Sequence, residues 1–449
     1  MLNKNIDIFI VGENYLSYLM ADRYLKKNKS VLILNSSKQV MNTKHFKELG
    51  TLEYTFLRKW VRDLCPNFSL NDFILSRPYY LRMNNKELML GHDSIYQNLL
   101  EVSRKFPKVL SFDLLKNEIL ESEKGLEGFE IDCRNFLEQL GDSLYSYHNI
   151  QNFSLDLLMK DCPKDILTLF DFFFQNVTNL TKGSHFNEID LLLFSLRSKF
   201  QSFSSHKFSK LELFHLFMSL ISPSYELDES SLLVELRNNY VSHGGFYRNA
   251  SIRNVKYDKG RPWCVELSSF EGVVHPGRLV FIGGGPRDLP VSIKKYNFFT
   301  EIRGKLNTQF KYFKSNRVDL FDSRMVGTDF SSWSYSTGDG SDLNISFMTK
   351  YNDALKEHFV RDEFDHILKS FFGLKRVEVS SLEFSDNISS YSYQRNDNAI
   401  SPVHFVDKTP LGSKFSSLKA VDSLGPLKAS GLGVLSSLME AKDYHLFYS

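Results

Sequence analysis

The first 35 residues combine two periods of apolar positions, which together predict a strand, a helix and a second strand. An apolar run over residues 6–11 stops at Gly12, as a short buried strand does at a tight turn. Apolar residues then recur at helical spacing over residues 16–27, and a second apolar run at 31–34 follows at once. A strand, a crossover helix and a strand within about 30 residues form a βαβ unit with parallel strands.

The middle of the chain is predicted to be mostly helical. A hairpin at residues 79–90 interrupts this region, and helical periodicity is clear at 94–106 and again between 165 and 221. Residues 166–174 are apolar nearly all round, which indicates either a buried helix or the wall of a cavity. The 39 Phe residues of the chain suit both alternatives, because aromatic side chains bury large apolar areas.

The second half of the chain changes to strand patterns. Alternation and turn signals over residues 251–282 predict a three-stranded meander whose last strand is apolar enough to enter the main sheet. A second strand group is predicted over 309–351, followed by a helix at about 353–372. Residues 385–415 are rich in Ser and Asn and are predicted to form a loop. A last helix is predicted at about 433–442.

Length, charge and hydropathy limit the classes of function. The chain has 449 residues, more than one hydrophobic core normally accommodates, so we expect two domains. A formal net charge of +2 gives no reason to expect a nucleic-acid partner. No apolar run approaches the ~20 residues of a membrane-spanning helix, and the start does not resemble a signal peptide. We therefore expect a soluble cytoplasmic protein, with peripheral membrane contact and the oligomeric state left open.

Reactive side chains form no recognisable catalytic or metal-binding motif. The four Cys residues contain no CxxC pair and the 12 His residues no HxxxH or HExxH pattern, so neither disulfides nor a metal site are expected. A GxSxG elbow and a phosphate-binding P-loop are also missing from the sequence. His243, beside a glycine pair, is interpreted as a loop residue and not as a base. The sequence therefore identifies no catalytic residue.

The turn after the first strand is where a dinucleotide-binding fold places its GxGxxG motif. Those glycines allow a tight turn, close approach of the backbone to pyrophosphate and close packing of helix on strand. The three positions are occupied here by Gly12, Asn14 and Ser17. Asn tolerates a positive φ better than most residues, so Asn14 could still form the turn, and Ser17 is small enough for close packing.

The end of the second predicted strand is the position of the acid that holds the ribose in such folds. The residue there is Asn35, which can also bond a hydroxyl, although without a charge. Two interpretations of this βαβ unit stay open. It either binds a dinucleotide or forms the first unit of an α/β protein without a ligand.

Four stretches in a common order resemble the superfamily of FAD-dependent amine oxidases and phytoene desaturases. They are the N-terminal βαβ unit, the hairpin segment 77–93, the run from 233 to 283 and the C-terminal segment 422–441, and they span nearly the whole chain. The resemblance implies an α/β fold with a Rossmann-type FAD-binding domain and a second α+β substrate domain inserted discontinuously. The implied domains are residues 1–60, 230–300 and 400–449 for FAD binding, and residues 61–229 and 301–399 for the substrate.

The resemblance also implies a cofactor site. Ile252 stands where the superfamily makes its backbone contact to adenine, and Asp422 stands where an acid accepts a hydrogen bond from a ribityl hydroxyl. Ser436 belongs to the predicted start of the last helix, whose N-terminus would face the flavin. The implied FAD envelope consists of Gly12, Asn14, Ser17, Asn35, Ile252, Asp422 and Ser436.

Two functions follow from this resemblance. The first is an FAD-dependent oxidoreductase of the amine oxidase or desaturase type, in which flavin takes a hydride from an apolar small molecule. The second is a non-catalytic binding protein on the same scaffold that has lost flavin, as the Rab GDP-dissociation inhibitors have. The spacing from Asp422 to Ser436 favours the enzyme, whereas the loss of two motif glycines, at Asn14 and Ser17, favours the binding protein.

Overall fold

A computed structural model describes most of the first 282 residues and separate strands beyond them. The described residues are 2–35, 46–83, 86–146, 156, 159–180, 188–190, 192–193, 210–258, 261–268 and 272–282, the later strands given below, and positions 362 and 442.

Strands and helices of these residues are numbered in chain order. The strands are β1 (Leu2–Val11), β2 (Val31–Asn35), β3 (Phe46–Leu49), β4 (Ile74–Ser76), β5 (Tyr79–Met83), β6 (Lys86–Leu90), β7 (Tyr225–Asp228), β8 (Phe246–Asn249), β9 (Ile252–Asp258), β10 (Arg261–Leu267), β11 (Gly272–Ile282), β12 (Tyr296–Asn307), β13 (Arg317–Phe321), β14 (Phe330–Thr337), β15 (Asp342–Lys350), β16 (Val379–Tyr391), β17 (Val403–Phe405) and β18 (Leu418–Val421). The helices are α1 (Tyr15–Leu25), α2 (Thr51–Leu64), α3 (Ile95–Lys105), α4 (Phe112–Leu115), α5 (Gly125–Ser146), α6 (Lys164–Leu180), α7 (Lys210–Ile221) and α8 (Glu229–Ser242).

The main sheet has a parallel centre that carries the predicted βαβ unit. Its strand order is β17-β18-β11-β1-β2-β8, and β10 and β9 join beside β11. Strand β1 pairs in parallel with both β2 and β11, β2 pairs in parallel with β8, and β11 pairs in parallel with β18. The βαβ prediction is therefore confirmed. Since all five strands run the same way, their carboxyl ends lie along one edge of the sheet, where α/β folds bind ligands.

Both faces of this sheet are covered, which explains why its strands are apolar on consecutive positions. Ile8 and Ile10 of β1 face a large core that they share with α1, α2 and the other helices. Phe9 and Val11 face a smaller core, which Val265 of β10 helps to form. The meander predicted over residues 251–282 is confirmed as β9, β10 and β11, with antiparallel pairing of β9 to β10 and of β10 to β11.

Two further sheets complete the described fold. The predicted hairpin is confirmed as β5 and β6, and it forms the end of a seven-stranded sheet with the order β16-β12-β15-β14-β13-β5-β6. A small sheet has the order β3-β7-β4. The chain is thus a mixed α/β protein with a parallel-stranded sheet, as the sequence predicts, whereas the predicted domain boundaries stay a prediction.

The Phe-rich helix α6 belongs to a packed core. Its Phe170 lies 5.1 Å from Phe214 and 5.6 Å from Phe217 of α7, measured between ring centroids. Phe173 lies 5.2 Å from Phe217 in the same way, and all four rings are buried. At these separations the rings are in mutual contact, so this stretch forms a buried helix and its inner face is not a cavity wall.

Several sequence predictions differ from the structure. The loop predicted over 385–415 is wrong in two places. Residues 385–391 belong to β16, which pairs along its length with β12, and residues 403–405 form β17, which pairs with β18. Strand β12 itself and helix α8 were not predicted as such elements. The predicted helices at 353–372 and 433–442 lie outside the described residues, apart from single positions. Within the described residues, no helix combines the length and apolar character needed to cross a bilayer.

Candidate functional site

Gly12 forms the turn at the carboxyl end of β1. Its φ is 109°, a conformation that side chains bearing Cβ rarely adopt. The Gly12 N–H donates to the carbonyl of Leu34, 2.9 Å away, which holds the turn against the end of β2. The tight turn expected at this position is therefore present and depends on glycine.

Asn14 and Ser17 bond to each other and to the turn. Asn14 has φ −157°, so it is extended, and the expectation that it forms the turn with a positive φ is wrong. It is instead the N-cap of α1, because its Oδ1 accepts from the N–H of Ser17 at 3.0 Å. Ser17 is buried, as expected for close packing, and its hydroxyl donates to the carbonyl of Gly12 at 2.7 Å.

Glu13, between the turn glycine and the helix cap, directs its carboxylate into a cluster of donors. Its side chain is 6% exposed. Oε1 accepts from the Tyr18 hydroxyl at 2.7 Å and from the Arg237 guanidinium. Oε2 lies 2.7 Å from the Asn35 amide nitrogen and 2.9 Å from the Tyr247 hydroxyl. We call these five residues the Glu13 cluster.

The Glu13 cluster joins elements that are far apart in sequence. Tyr18 lies on α1, Asn35 ends β2, Arg237 lies on α8 and Tyr247 lies on β8. The Arg237 Nε also donates to the Tyr18 hydroxyl at 3.2 Å, and its guanidinium lies 4.9 Å from the Tyr247 ring centroid. Burial, and then the hydrogen bond to Glu13, raise the pKa of Tyr18. The phenol therefore stays protonated and keeps donating.

Helix α8 is fixed to the sheet through Tyr240. Its hydroxyl lies within hydrogen-bonding reach of two carbonyls, 2.7 Å from Val31 of β2 and 3.0 Å from Phe246 of β8. A Cβ at Gly245 would lie 2.3 Å from the Tyr240 ring, so this glycine is needed for the approach. The same contact fixes the helix that carries Arg237, one helical turn earlier.

The polar groups at the carboxyl ends of β1 and β2 do not fit the ribose and pyrophosphate of FAD. Asn35, which was expected to bond a ribose hydroxyl, donates its amide to Glu13. A pyrophosphate at the turn would meet the carboxylate of Glu13, where a dinucleotide-binding turn offers bare backbone N–H groups. Displacing that carboxylate would leave a buried charge without its partner.

The other predicted cofactor residues fall into two groups. Ile252 pairs with Leu267 of β10 and packs against the smaller core of the main sheet. Asp422 and Ser436 lie outside the described residues. Strand β18, however, ends at Val421 opposite Ile282. The strand that precedes Asp422 therefore reaches the same sheet edge as β1. The cofactor roles of Ile252, Asp422 and Ser436 stay predictions.

Sequence reasoning missed Glu13, Arg237 and Tyr247 as members of one site. A signal was present, because Glu13 is an acidic residue inside a turn that normally faces phosphate. Its partners gave no signal, because Arg237 and Tyr247 follow Glu13 by 224 and 234 positions. Only tertiary structure brings their side chains together.

A second polar cluster joins α1, α8 and the end of α2. Asp22 is buried, and its Oδ1 lies 2.8 Å from Nδ1 of His243, which directly follows α8. The Asn239 amide donates to the sulfur of Cys65 at 3.2 Å. Burial raises the pKa of the Cys65 thiol to about 12, which makes it a poor nucleophile. In the described part of the chain, no three His, Cys, Asp or Glu residues are arranged to hold a metal ion.

The chain is an α/β protein on a dinucleotide-binding type of scaffold, in which the turn after β1 carries an internally bound carboxylate. No protein-family model matches the sequence, and no curated protein matches it either.

Solved structures resemble the whole chain at low sequence identity. RAB GDI from Plasmodium falciparum is 11% identical, with 100% of this chain and 99% of that chain covered and a TM-score of 0.50. A geranylgeranyl bacteriochlorophyll reductase-like protein from Thermoplasma acidophilum is 8% identical, covering 98% and 76%, with a TM-score of 0.49. A glycerol-3-phosphate dehydrogenase from Bacillus halodurans, solved with FAD, is 11% identical, covering 99% and 64%, with a TM-score of 0.47. Of these three, only RAB GDI reaches a TM-score of 0.50, and at 11% identity this similarity shows the fold alone.

Proposed function

We propose that this protein is a flavin-free binding protein on the dinucleotide-binding scaffold, comparable to a GDP-dissociation inhibitor and without oxidoreductase activity. The observation that carries the proposal is the Glu13 cluster. Its donors, which would serve a ribose or a phosphate, already bind a carboxylate of the chain itself.

The ion pair of Glu13 with Arg237 opposes the binding of a dinucleotide at the turn. Breaking a buried ion pair by removing one partner costs about 3–5 kcal/mol. The Arg237 side chain is 35% exposed, so solvent screening puts the loss for this pair below that range. FAD would have to offset this loss before it gained any net affinity, and two glycines that allow close backbone approach are replaced by Asn14 and Ser17.

The likeness to RAB GDI is consistent with this proposal in one respect. The two chains cover each other almost completely, 100% of this one and 99% of that one. We propose that the ligand of this protein is apolar and that the protein acts in the cytoplasm, with no nucleic-acid partner.

An absorbance spectrum and an FAD titration of the purified protein test this function. We expect a colourless protein whose melting temperature does not change with added FAD, because a ligand that binds only the folded state would raise it. A flavoenzyme stripped of its cofactor serves as the positive control. Flavin absorbance bands in the purified protein, or a melting temperature that rises with FAD, would contradict the proposal.

A second function is supported by a separate observation. An FAD-dependent oxidoreductase of the amine oxidase or desaturase type, acting on an apolar small molecule, needs the C-terminal segment beside the first turn. The parallel pairing of β18 with β11, which is itself paired with β1, is consistent with that arrangement. The same FAD titration separates the two functions, since only the oxidoreductase requires flavin.

A further inference from the structure

We infer that Tyr18, Asn35, Arg237 and Tyr247 form an anion-binding site that Glu13 occupies as an internal ligand, and that the site accepts a small carboxylate or inorganic phosphate once the Glu13 carboxylate is removed. The inference rests on the proposed function, because it explains what the donors beside the turn bind in place of a dinucleotide. It assigns an anion site to residues from four separate elements.

Three of the four donors are held in place by contacts that do not involve Glu13. Tyr18 packs edge-on against the ring of Tyr240, with 5.5 Å between centroids. Arg237 stacks over the Tyr247 ring and donates through Nε to Tyr18. A site whose donors are fixed by other contacts keeps its geometry when its ligand is exchanged.

The charge of the site favours an anion. Among the described residues, Glu13 is the only carboxylate that pairs with Arg237. Without it, the guanidinium would be left as an uncompensated cation beside the amide of Asn35 and the hydroxyl of Tyr18. The planar guanidinium presents donors in a geometry that matches carboxylate and phosphate oxygens. The Arg237 side chain is 35% exposed, so part of it is in contact with solvent.

The Tyr247 hydroxyl can change its hydrogen-bond partner when one anion replaces another in the site. It lies 2.9 Å from Oε2 of Glu13 and 2.6 Å from Oδ1 of Asn249, and its single proton can be donated to only one of them at a time. The hydroxyl can therefore turn to Asn249 when the site is empty and return to an incoming anion.

Acetate is the matched probe for the vacated space. Glu13→Ala removes Cγ, Cδ and both carboxylate oxygens, which correspond atom for atom to the heavy atoms of acetate. Glu13→Gln is the matched control, because its amide keeps the shape and fills the same space. The double variant Glu13→Ala with Arg237→Gln removes the cation as well.

The experiment compares melting temperatures in sodium acetate and in sodium chloride at equal ionic strength, and repeats the series with sodium phosphate. We expect the melting temperature of Glu13→Ala to rise in acetate or phosphate by at least about 2 °C more than in chloride. Wild type, Glu13→Gln and the double variant should show no such difference. An equal response of all four proteins, or no response of Glu13→Ala, would overturn the inference.

If Glu13→Ala does not fold in chloride, its yield of soluble protein on refolding becomes the measurement. Recovery in acetate and not in chloride supports the site, and failure in both overturns it. FAD binding by the wild type is measured separately and tests the proposed function. If the wild type binds no FAD and the melting temperature of Glu13→Ala does not respond to acetate, the proposed function stands and only the inferred anion site is rejected.

Discussion

Nε2 of His215 lies 3.1 Å from Oε1 of Glu53, and both side chains are buried between α7 and α2. Gly50, which precedes α2, gives them room, since a Cβ there would lie 2.4 Å from Oε2 of Glu53 and 2.6 Å from Cε1 of His215. The helical core thus contains a polar pair, His215 and Glu53, and the absence of a Cβ at Gly50 leaves space for it.

Stability should fall in mild acid because of His215. Burial lowers the pKa of this imidazole from 6.5 to about 4. Between these values the unfolded chain binds a proton that the folded chain does not, so the free energy of unfolding falls as pH falls from 6.5 toward 4. We expect a slope of up to about 1.4 kcal/mol per pH unit from this group.

Urea unfolding of wild type and His215→Gln across pH 4 to 7 measures that slope. The variant should be less stable at pH 7 and should lose less stability on acidification. The Glu53→Gln variant is the control for loss of the carboxylate, and it should retain the part of the slope that belongs to the imidazole. Equal slopes for wild type and His215→Gln would refute the assignment.

The Glu13–Arg237 pair should show a large coupling energy in a double-mutant cycle. With Glu13→Gln, Arg237→Gln and the double variant, we expect a coupling of about 1.5–3 kcal/mol, because a hydrogen bond to a charged group contributes that much. The exposed pair Arg82–Glu87, 3.5 Å apart, is the matched control and should give about 0–1 kcal/mol. The free energy of unfolding in urea is the measurement. Equal coupling in the two pairs would contradict the structure.

Gly141→Ala should destabilise the contact between α5 and α2. A Cβ at position 141 would lie 2.6 Å from the carbonyl oxygen of Thr55. Because that neighbour is backbone, one helix must shift, at a cost of about 1–3 kcal/mol. Gln139→Ala, at an exposed position of the same helix, is the control and should be nearly neutral. Denaturant midpoints of the two variants and the wild type measure the difference, and a neutral Gly141→Ala would show that the helices lie further apart.

The cysteines should resist thiol reagents in the native protein. All four are free and buried, and burial raises the pKa of Cys65 and of Cys162 to about 12. Because the thiolate is the reactive form, labelling with a thiol-specific chromogenic disulfide at pH 8 should be slow for every cysteine. In denaturant all four should react, and the absorbance of the released thiolate counts them. Rapid reaction of any cysteine in the native state would contradict its burial.

Local patterns predicted the βαβ unit, the hairpin and the meander, because each is a run of neighbouring residues with its own turn. Strand β16 was mistaken for loop over 385–391, since its Ser- and Asn-rich sequence has low strand propensity. Its pairing with β12, some 80 residues earlier in the chain, decides its conformation. Propensity within a short window carries no information about such a partner.

The candidate site was predicted only in its position. The apolar strand and Gly12 indicated where the turn lies, and the structure has the turn there. What the turn binds could not be predicted, because Arg237 and Tyr247 come from α8 and β8, more than 220 positions away. The role of Asn35 changed for the same reason, since Glu13, 22 positions earlier, accepts from its amide. Asn14 instead caps α1 by accepting from Ser17, only three positions later.

The placement of β11 between β1 and β18 has a consequence for biosynthesis. The three adjacent parallel strands begin at residues 2, 272 and 418, so the middle of the sheet cannot close until most of the polypeptide has left the ribosome. Until then β1 and β2 present open hydrogen-bonding edges, which invite mispairing with other chains. Folding of the nascent chain therefore depends on the late pairing of β1 with β11 and of β11 with β18. We expect the folding yield to be sensitive to translation rate and to chaperone supply.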